Sequence, residues 1–211
     1  MAQPARDNRM SRRSWLVAGL AIPLFRARGA QVLSVAYDGD NLHPLAPPTL
    51  HFLAGKPLDR LKNAATVVFA SQLTIFGESR TQVLKQATER LIVSYDIWEE
   101  KFSVKLSVAM LKTKQPLSSA AATEAWCLDN LAISTLGLAP QRPFYLRWDL
   151  RAVNPRDMAG SVVGDPGISL TGFMIELFSR RPAADEAHWQ LDSGRLRLQD
   201  LTRMPGRGRI G

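Results

Sequence analysis

At 211 residues and 45% hydrophobic composition the chain is long enough to bury one ordinary core, and its single cysteine, Cys127, excludes an intrachain disulfide and any cysteine-built zinc or iron–sulfur site. The net charge of +8 is carried by the two ends. Residues 1–29 hold six arginines against one acid, residues 203–211 hold three arginines and no acid, and residues 30–202 balance 18 basic against 18 acidic side chains, which argues against a folded nucleic-acid-binding surface.

The opening stretch has the order of an export leader. Arginines precede an apolar run from Leu16 to Phe25, and small residues follow at Ala27, Gly29 and Ala30. That run is about ten residues, too short to span a bilayer, which takes ~20. Arg12 and Arg13 within Ser11-Arg12-Arg13-Ser14-Trp15-Leu16 fit either a twin-arginine or a general secretory signal, and Met10 is a second candidate start. The expected organisation is a leader over 1–29, one domain over 30–202 and a basic, disordered tail over 203–211. An N-terminal anchor that is never cut is the other way to read the leader.

Past the leader, Gln31–Tyr37 is β-prone and closes on the turn cluster Asp38-Gly39-Asp40-Asn41. Pro44, Pro47 and Pro48 keep the next stretch extended, Leu50–Leu53 reads as a short strand, and Pro57 opens a helical turn over Leu58–Asn63. Three alternating runs follow, Thr66–Phe76, Thr81–Ile97 and Lys101–Met110. Their period of two and short connections predict an antiparallel meander over 66–110 with one buried face. The buried sets are Val67, Phe69, Leu73 and Ile75, then Leu91, Val93, Tyr95 and Ile97, then Phe102, Val104, Leu106 and Val108.

Between the second and third runs lie Asp96, Trp98, Glu99 and Glu100. Paired catalytic carboxylates must flank one bond at ~5–10 Å, and neighbours in a reversal diverge, so these acids read as a polar bend. Ser118 and Ser119 start a helix expected to run to Gly137, with Trp126, Ile133 and Leu136 as its apolar stripe and Cys127 inside it as a small hydrophobe. Arg142–Val153 is a further strand. Phe144, Leu146, Trp148, Leu150 and Ala152 form its apolar face, and Tyr145, Arg147, Asp149 and Arg151 form a polar row. That row reads as a solvated face with cross-strand ion pairs, or as a ligand- or partner-binding surface.

Residues 154–167 are loop. Leu170, Phe173, Met174, Leu177 and Phe178 then space an amphipathic helix over 169–180 that ends at Pro182. Trp189–Leu191 and Arg195–Leu201 read as a closing hairpin. No internal repeat is visible. The fold expected is α+β: an antiparallel sheet, open to a sandwich arrangement, made of the 66–110 meander and strand 142–153, covered by helices near 118–137 and 169–180.

The three histidines, His43, His51 and His188, show no helical metal spacing. Gly167-Ile168-Ser169-Leu170-Thr171 misses a nucleophile elbow at its last position, and Asp38-Gly39-Asp40-Asn41 lacks the rest of a calcium loop. No metal, cofactor or catalytic set is predicted.

The order of Gly55-Lys56-Pro57-Leu58, Val93-Ser94-Tyr95-Asp96, Phe102-Ser103-Val104, the helix from Ser118 and the strand from Phe144 resembles a family of small exported bacterial proteins classed as a domain of unknown function. Members of that family are often encoded beside nitrogen-regulation-type sensor kinases. The resemblance covers about residues 50–200. The chain departs from it at the family's tryptophan-rich R-W-Y-W segment, where Gly77-Glu78-Ser79-Arg80 stands nearby. It implies no catalytic residues. The function expected is a non-enzymatic envelope protein that binds a protein partner or a small ligand. The alternatives are a hydrolase centred on Asp96, Glu99 or His51, and a carrier of an apolar ligand.

Overall fold

Alternation in the sequence is translated into two antiparallel sheets facing one apolar core. The computed structural model describes residues 32–45, 47–107, 111–153, 170–182 and 186–204, apart from the side chains of Ser107, Leu111, Lys112, Gln115, Leu170, Thr171 and Phe173. The strands are β1 (Ser34–Tyr37), β2 (Asn41–Leu45), β3 (Val67–Phe76), β4 (Val83–Asp96), β5 (Lys101–Ser107), β6 (Leu111–Leu117), β7 (Ile133–Ser134), β8 (Tyr145–Val153) and β9 (His188–Asp192). The helices are α1 (Lys56–Lys62), α2 (Ala120–Asp129) and α3 (Leu170–Ser179). A six-stranded sheet runs β6-β5-β4-β3-β8-β9 and a three-stranded sheet runs β1-β2-β7, with every named pair antiparallel. The fold is α+β and sandwich-like.

The main core lies between the large sheet and a layer built from α1, α2 and the small sheet. Phe69, Leu73, Leu91, Val104, Leu146, Trp148 and Leu150 meet Leu42, Phe52, Leu61, Cys127 and Ile133 there. Burial pushes the Cys127 thiol up to about 12 and the Glu124 charge adds to the effect, so the thiol stays protonated and inert. On the other side of the sheet, Met174 and Leu177 of α3 pack on Val68, Ala70 and Val153. This second layer corrects the expectation for β3. Ala70, Gln72 and Thr74 are buried along with Phe69, Leu73 and Ile75, because a central strand covered on both sides has no wet face.

Other expectations change for equally local reasons. The meander continues into β6, unrecognised in Leu-Lys-Thr-Lys-Gln-Pro-Leu because an edge strand tolerates lysine and proline that a central strand would reject. Leu50–Leu53 is a turn and not a strand; the Leu53 N–H donates to a Glu124 carboxylate oxygen at 2.6 Å and not to a neighbouring ladder. Helix α2 begins as its serine predicts, with Ser119 Oγ accepting from the Ala122 N–H at 3.1 Å, but it ends at Asp129. The chain then leaves to pair Ile133 with Leu42, so Gly137 ends a turn at φ +83° and not a helix. Trp126 is half-buried and Leu136 is exposed, so the proposed stripe does not exist. Ile97 is also exposed, since it has left the β4 ladder for the reversal.

The closing hairpin is replaced by a strand that stays beside β8. Ser193 N–H donates to the Leu146 carbonyl while Ser193 Oγ accepts the Leu146 N–H at 2.8 Å, so the chain does not double back after β9. It resumes as a single bridge between Leu196 and Phe144 before a 3-10 turn at Leu198–Asp200. Residues 1–31, 46, 108–110, 154–169, 183–185 and 205–211 lie outside the described residues, and with them the leader, Val108 of the expected buried set, the loop at 154–167, most of the near-elbow and nearly all of the tail.

Helix α1 ends on two reverse-turn bonds, Ala64 N–H to Leu61 O and Ala65 N–H to Arg60 O, the pattern that normally places glycine at the left-handed position. Here Ala64 holds it at φ +59°. Ala64→Gly is expected to stabilise the fold by about 1 kcal/mol, the strain relieved exceeding the backbone entropy lost, and urea unfolding would measure it.

Candidate functional site

Two places were singled out by sequence, the β8 polar row and the acidic reversal after β4, and the structure treats them in opposite ways. The row is engaged inward. In register, Arg147 lies opposite Asp192, Asp149 opposite Gln190 and Arg151 opposite His188. Arg147 Nε donates to Asp192 Oδ1 at 2.8 Å and its guanidinium sits 5.0 Å from the Phe76 ring centre. Arg80 covers the Tyr145 ring at 3.9 Å. Asp149 Oδ1 lies 3.3 Å from His188 Nε2. Arg151 Nη1 donates to the carbonyls of Leu177 at 2.6 Å and Arg180 at 2.9 Å, at the end of α3, and its guanidinium stacks near Phe178. The solvated-face reading is therefore corrected at two positions: Asp149 and Arg151 are buried, because β9 and α3 close over that end of the strand.

Burial pushes the Asp149 carboxyl above its usual range; the His188 hydrogen bond and the nearby Arg147 and Arg151 oppose that rise without cancelling it. A carboxyl raised in the folded state binds its proton more tightly there than when unfolded. Its contribution to stability therefore falls as pH rises from the unfolded value of ~3.9 through the folded one. Asp149→Asn keeps the shape and an acceptor for His188, so the stability of the variant relative to the parent is expected to climb from pH 4 to pH 7. A series of urea melts across that range checks the sign.

The acidic reversal faces outward. Four residues, 97–100, join the ladder partners Asp96 and Lys101. Asp96 Oδ1 accepts the N–H groups of Trp98 at 2.8 Å and Glu99 at 3.0 Å, which bends the loop back on itself. Those bonds, Glu99 first, hold the Asp96 carboxyl below its usual range. Glu99 pairs with Lys101 at 3.1 Å, and Glu100 takes a left-handed φ of +54°. Behind the loop the Tyr95 and Phe102 rings pack with centres 4.8 Å apart, tilted 52° to each other. The outcome is an ordered tip on which the Trp98 side chain is 95% exposed and Ile97 is 50% exposed.

Family models, curated proteins and solved structures give no match to this chain.

The remaining sequence candidates separate. His51 Nδ1 lies 3.3 Å from the buried Glu124 Oε2 on α2, and neither Asp96 nor Glu99 bonds to it. His43 has Asp38 Oδ2 at 2.9 Å and the Leu131 carbonyl at 3.1 Å. Asp38 also accepts the N–H groups of Asn41 and Asp40. Burial alone would raise the Asp38 carboxyl, but these bonds, led by His43, hold it well below the usual range. The Asp38–Asn41 stretch is thus a tied-down turn. Among the described residues no three His, Cys, Asp or Glu side chains converge as a metal site. The residue that sequence reasoning passed over is Trp98. Its signal was an aromatic side chain at a chain reversal, where strand parity offers it no buried face.

Proposed function

We propose that the chain is an exported envelope protein without catalytic activity of its own, and that it binds a protein partner through the β4–β5 tip. One observation carries the reading: the most exposed large apolar side chain among the described residues is a tryptophan, and it stands on a loop already ordered by Asp96. Indole exposure in water is unfavourable, and tryptophan is the residue most enriched at the energetic centres of protein interfaces. Preordering lowers the entropy lost on binding. The leader with Arg12 and Arg13 supports export, and no helix among the described residues is long and apolar enough to cross a membrane. The resemblance to the exported family of unknown function points the same way. In the polar row Arg147, Asp149 and Arg151 serve this module by holding β9 and α3 to the sheet, while Tyr145 seats Arg80; a small ligand or partner at the row Tyr145, Arg147, Asp149 and Arg151 is the lesser proposal.

Trp98→Ala is the test. The variant should keep its unfolding free energy within about 0.5 kcal/mol, as exposed positions do. It should weaken partner binding by about 2–4 kcal/mol, or roughly 30- to 1,000-fold. Native-size separation of extracts from cells that make the protein should show a complex that Trp98→Ala removes. A complex of undiminished size and amount in the variant would sink the proposal.

A hydrolase reading has one supporting contact, the exposed His51 backed by the buried Glu124 carboxylate. The same carboxylate also holds the Leu53 N–H, which gives it a structural task. An activity of the purified protein that His51→Ala abolishes, with the fold intact, would favour that reading over the binding module.

A further inference from the structure

Strand β4 is 14 residues long, so at ~3.3 Å per residue its ends stand about 40 Å apart. The two ends are chemical opposites. The tip carries Ile97 and Trp98 exposed among Asp96, Glu99, Glu100 and Lys101, three acids and one base. Glu99 pairs with Lys101, and Glu100 has no ion-pair partner among the described residues. At the other end the register slips between Ile75 and Phe76, so Phe76 lies opposite Val83 and Ile75 opposite Lys85, and the successive residues Val83 and Leu84 are 49% and 41% exposed. Arg80 lies in the turn before them and Lys85 follows in the strand, while the nearby acid, Glu78, pairs with Arg195. Arg80 is held at the surface over the Tyr145 ring, and Lys85 has no ion-pair partner among the described residues. Each end therefore offers exposed apolar side chains flanked in the chain by a surplus of one sign, acidic at the tip and basic at the far end.

Resting on the reading of the tip as a binding element, we infer that its occupant is a second copy of this chain: the acidic Trp98 tip of one molecule docks on the basic Val83–Leu84 end of the next. Apolar surface meets apolar surface, and Glu100 and Asp96 face Arg80 and Lys85 across the contact. A lipid surface is the poorer occupant, because the carboxylates beside the indole are repelled by an anionic leaflet. Docked end to end, each contact leaves a free tip on one molecule and a free basic end on the other, so the association continues head-to-tail into open chains or rings. Few side chains take part, which places the contact at the small, weak end of interfaces, and its charge pairing makes it weaken as salt rises.

Sedimentation velocity of the purified protein from about 5 to 500 μM, at low and high salt, reads this directly. The parent should form species larger than a dimer at low salt. Trp98→Ala removes the tip and Leu84→Glu removes the basic end; each alone should associate at least tenfold more weakly. Mixed in equal amounts they should form a one-to-one dimer and nothing larger, since each variant keeps the half the other lacks. Thermal melts establish that both variants fold, and if Leu84→Glu does not, the doubly reversed Arg80→Glu/Lys85→Glu protein takes its place. A parent that stays monomeric at 500 μM, association indifferent to both variants, a mixture without dimer, or a monomer whose Trp98-dependent fluorescence shifts only with anionic or zwitterionic vesicles would each overturn the inference. A monomeric parent whose complex in extracts still depends on Trp98 overturns the second copy as occupant and leaves the binding module standing. Loss of both sinks both.

Discussion

Replacing Arg151 by methionine is expected to destabilise the fold by about 2–4 kcal/mol and to release α3 from the sheet before the rest unfolds. The reason lies at the helix end. The last carbonyls of any helix lack partners within it, and in α3 the Leu177 carbonyl is served from β8 by Arg151 Nη1 at 2.6 Å, with the Arg180 carbonyl beyond the helix at 2.9 Å. A cation at that end also complements the negative pole of the helix. Methionine keeps the stem that packs near Phe178 but donates nothing, so two carbonyls lose their protein partner, at about 1–3 kcal/mol for each that stays buried. Part of that loss is offset because a buried guanidinium is itself disfavoured: burial lowers its affinity for the proton despite the nearby Glu186 and Asp149. Arg151→Lys should recover only a fraction, since the lysine side chain is one atom shorter and its ammonium falls short of the position from which Nη1 reaches both carbonyls. Hydrogen exchange should locate the effect, with amides of Leu170–Ser179 losing protection while those of β3 and β4 keep theirs. Unchanged stability and unchanged α3 protection in Arg151→Met would refute this account of how the second layer is attached.

Trp148→Ala should be more damaging, at about 3–5 kcal/mol, a large part of the 5–15 kcal/mol that typically holds a domain together. Trp148 is wholly buried on the core face of β8, directly opposite Leu73 on β3. Its indole N–H donates to Ser71 Oγ at 2.9 Å, which is what allows so large a polar-tipped side chain to be buried at all. Truncation leaves a cavity among Leu73, Leu146, Leu150 and their neighbours and strands the Ser71 hydroxyl. A double-mutant cycle isolates the second effect. Trp148→Phe and Ser71→Ala each break the hydrogen bond, so the combined variant should be less destabilised than the sum by about 1 kcal/mol. Strict additivity would mean that the hydrogen bond contributes nothing and that volume alone explains the position.

The parts of the fold legible in the residues are those where a local rule and the tertiary setting agree. Period-two alternation placed β3, β4, β5 and β8 in an antiparallel sheet, serine placed the start of α2, and the spacing of Met174, Leu177 and Phe178 placed α3. The misses fall where a non-local partner decides. β6 shows no clear alternation because, as an outer strand, it tolerates lysine and proline at its positions. α2 stops early because β2 offers Ile133 a ladder. The polar row on β8 alternates like a wet face, yet half of it is buried, since nothing within a strand says what will cover it. For the candidate site the same division holds. The residues of the reversal were readable as a bend, and Asp96 does close it with its own backbone neighbours. The near-complete exposure of Trp98 was not readable, because an aromatic side chain at a chain reversal can equally fold back on a core.

Alone, then, the order of side chains determined the alternating strands β3, β4, β5 and β8, where the basic charge sits, and that one thiol could build no site, because each of these depends on composition or on neighbours within a few positions. The tertiary structure decided which polar groups are buried, which carboxylate meets which histidine, and that β4 ends in an acidic aromatic tip at one pole and a basic aliphatic patch at the other. Those outcomes depend on contacts between residues distant in the chain, and burial is a property of what arrives from elsewhere.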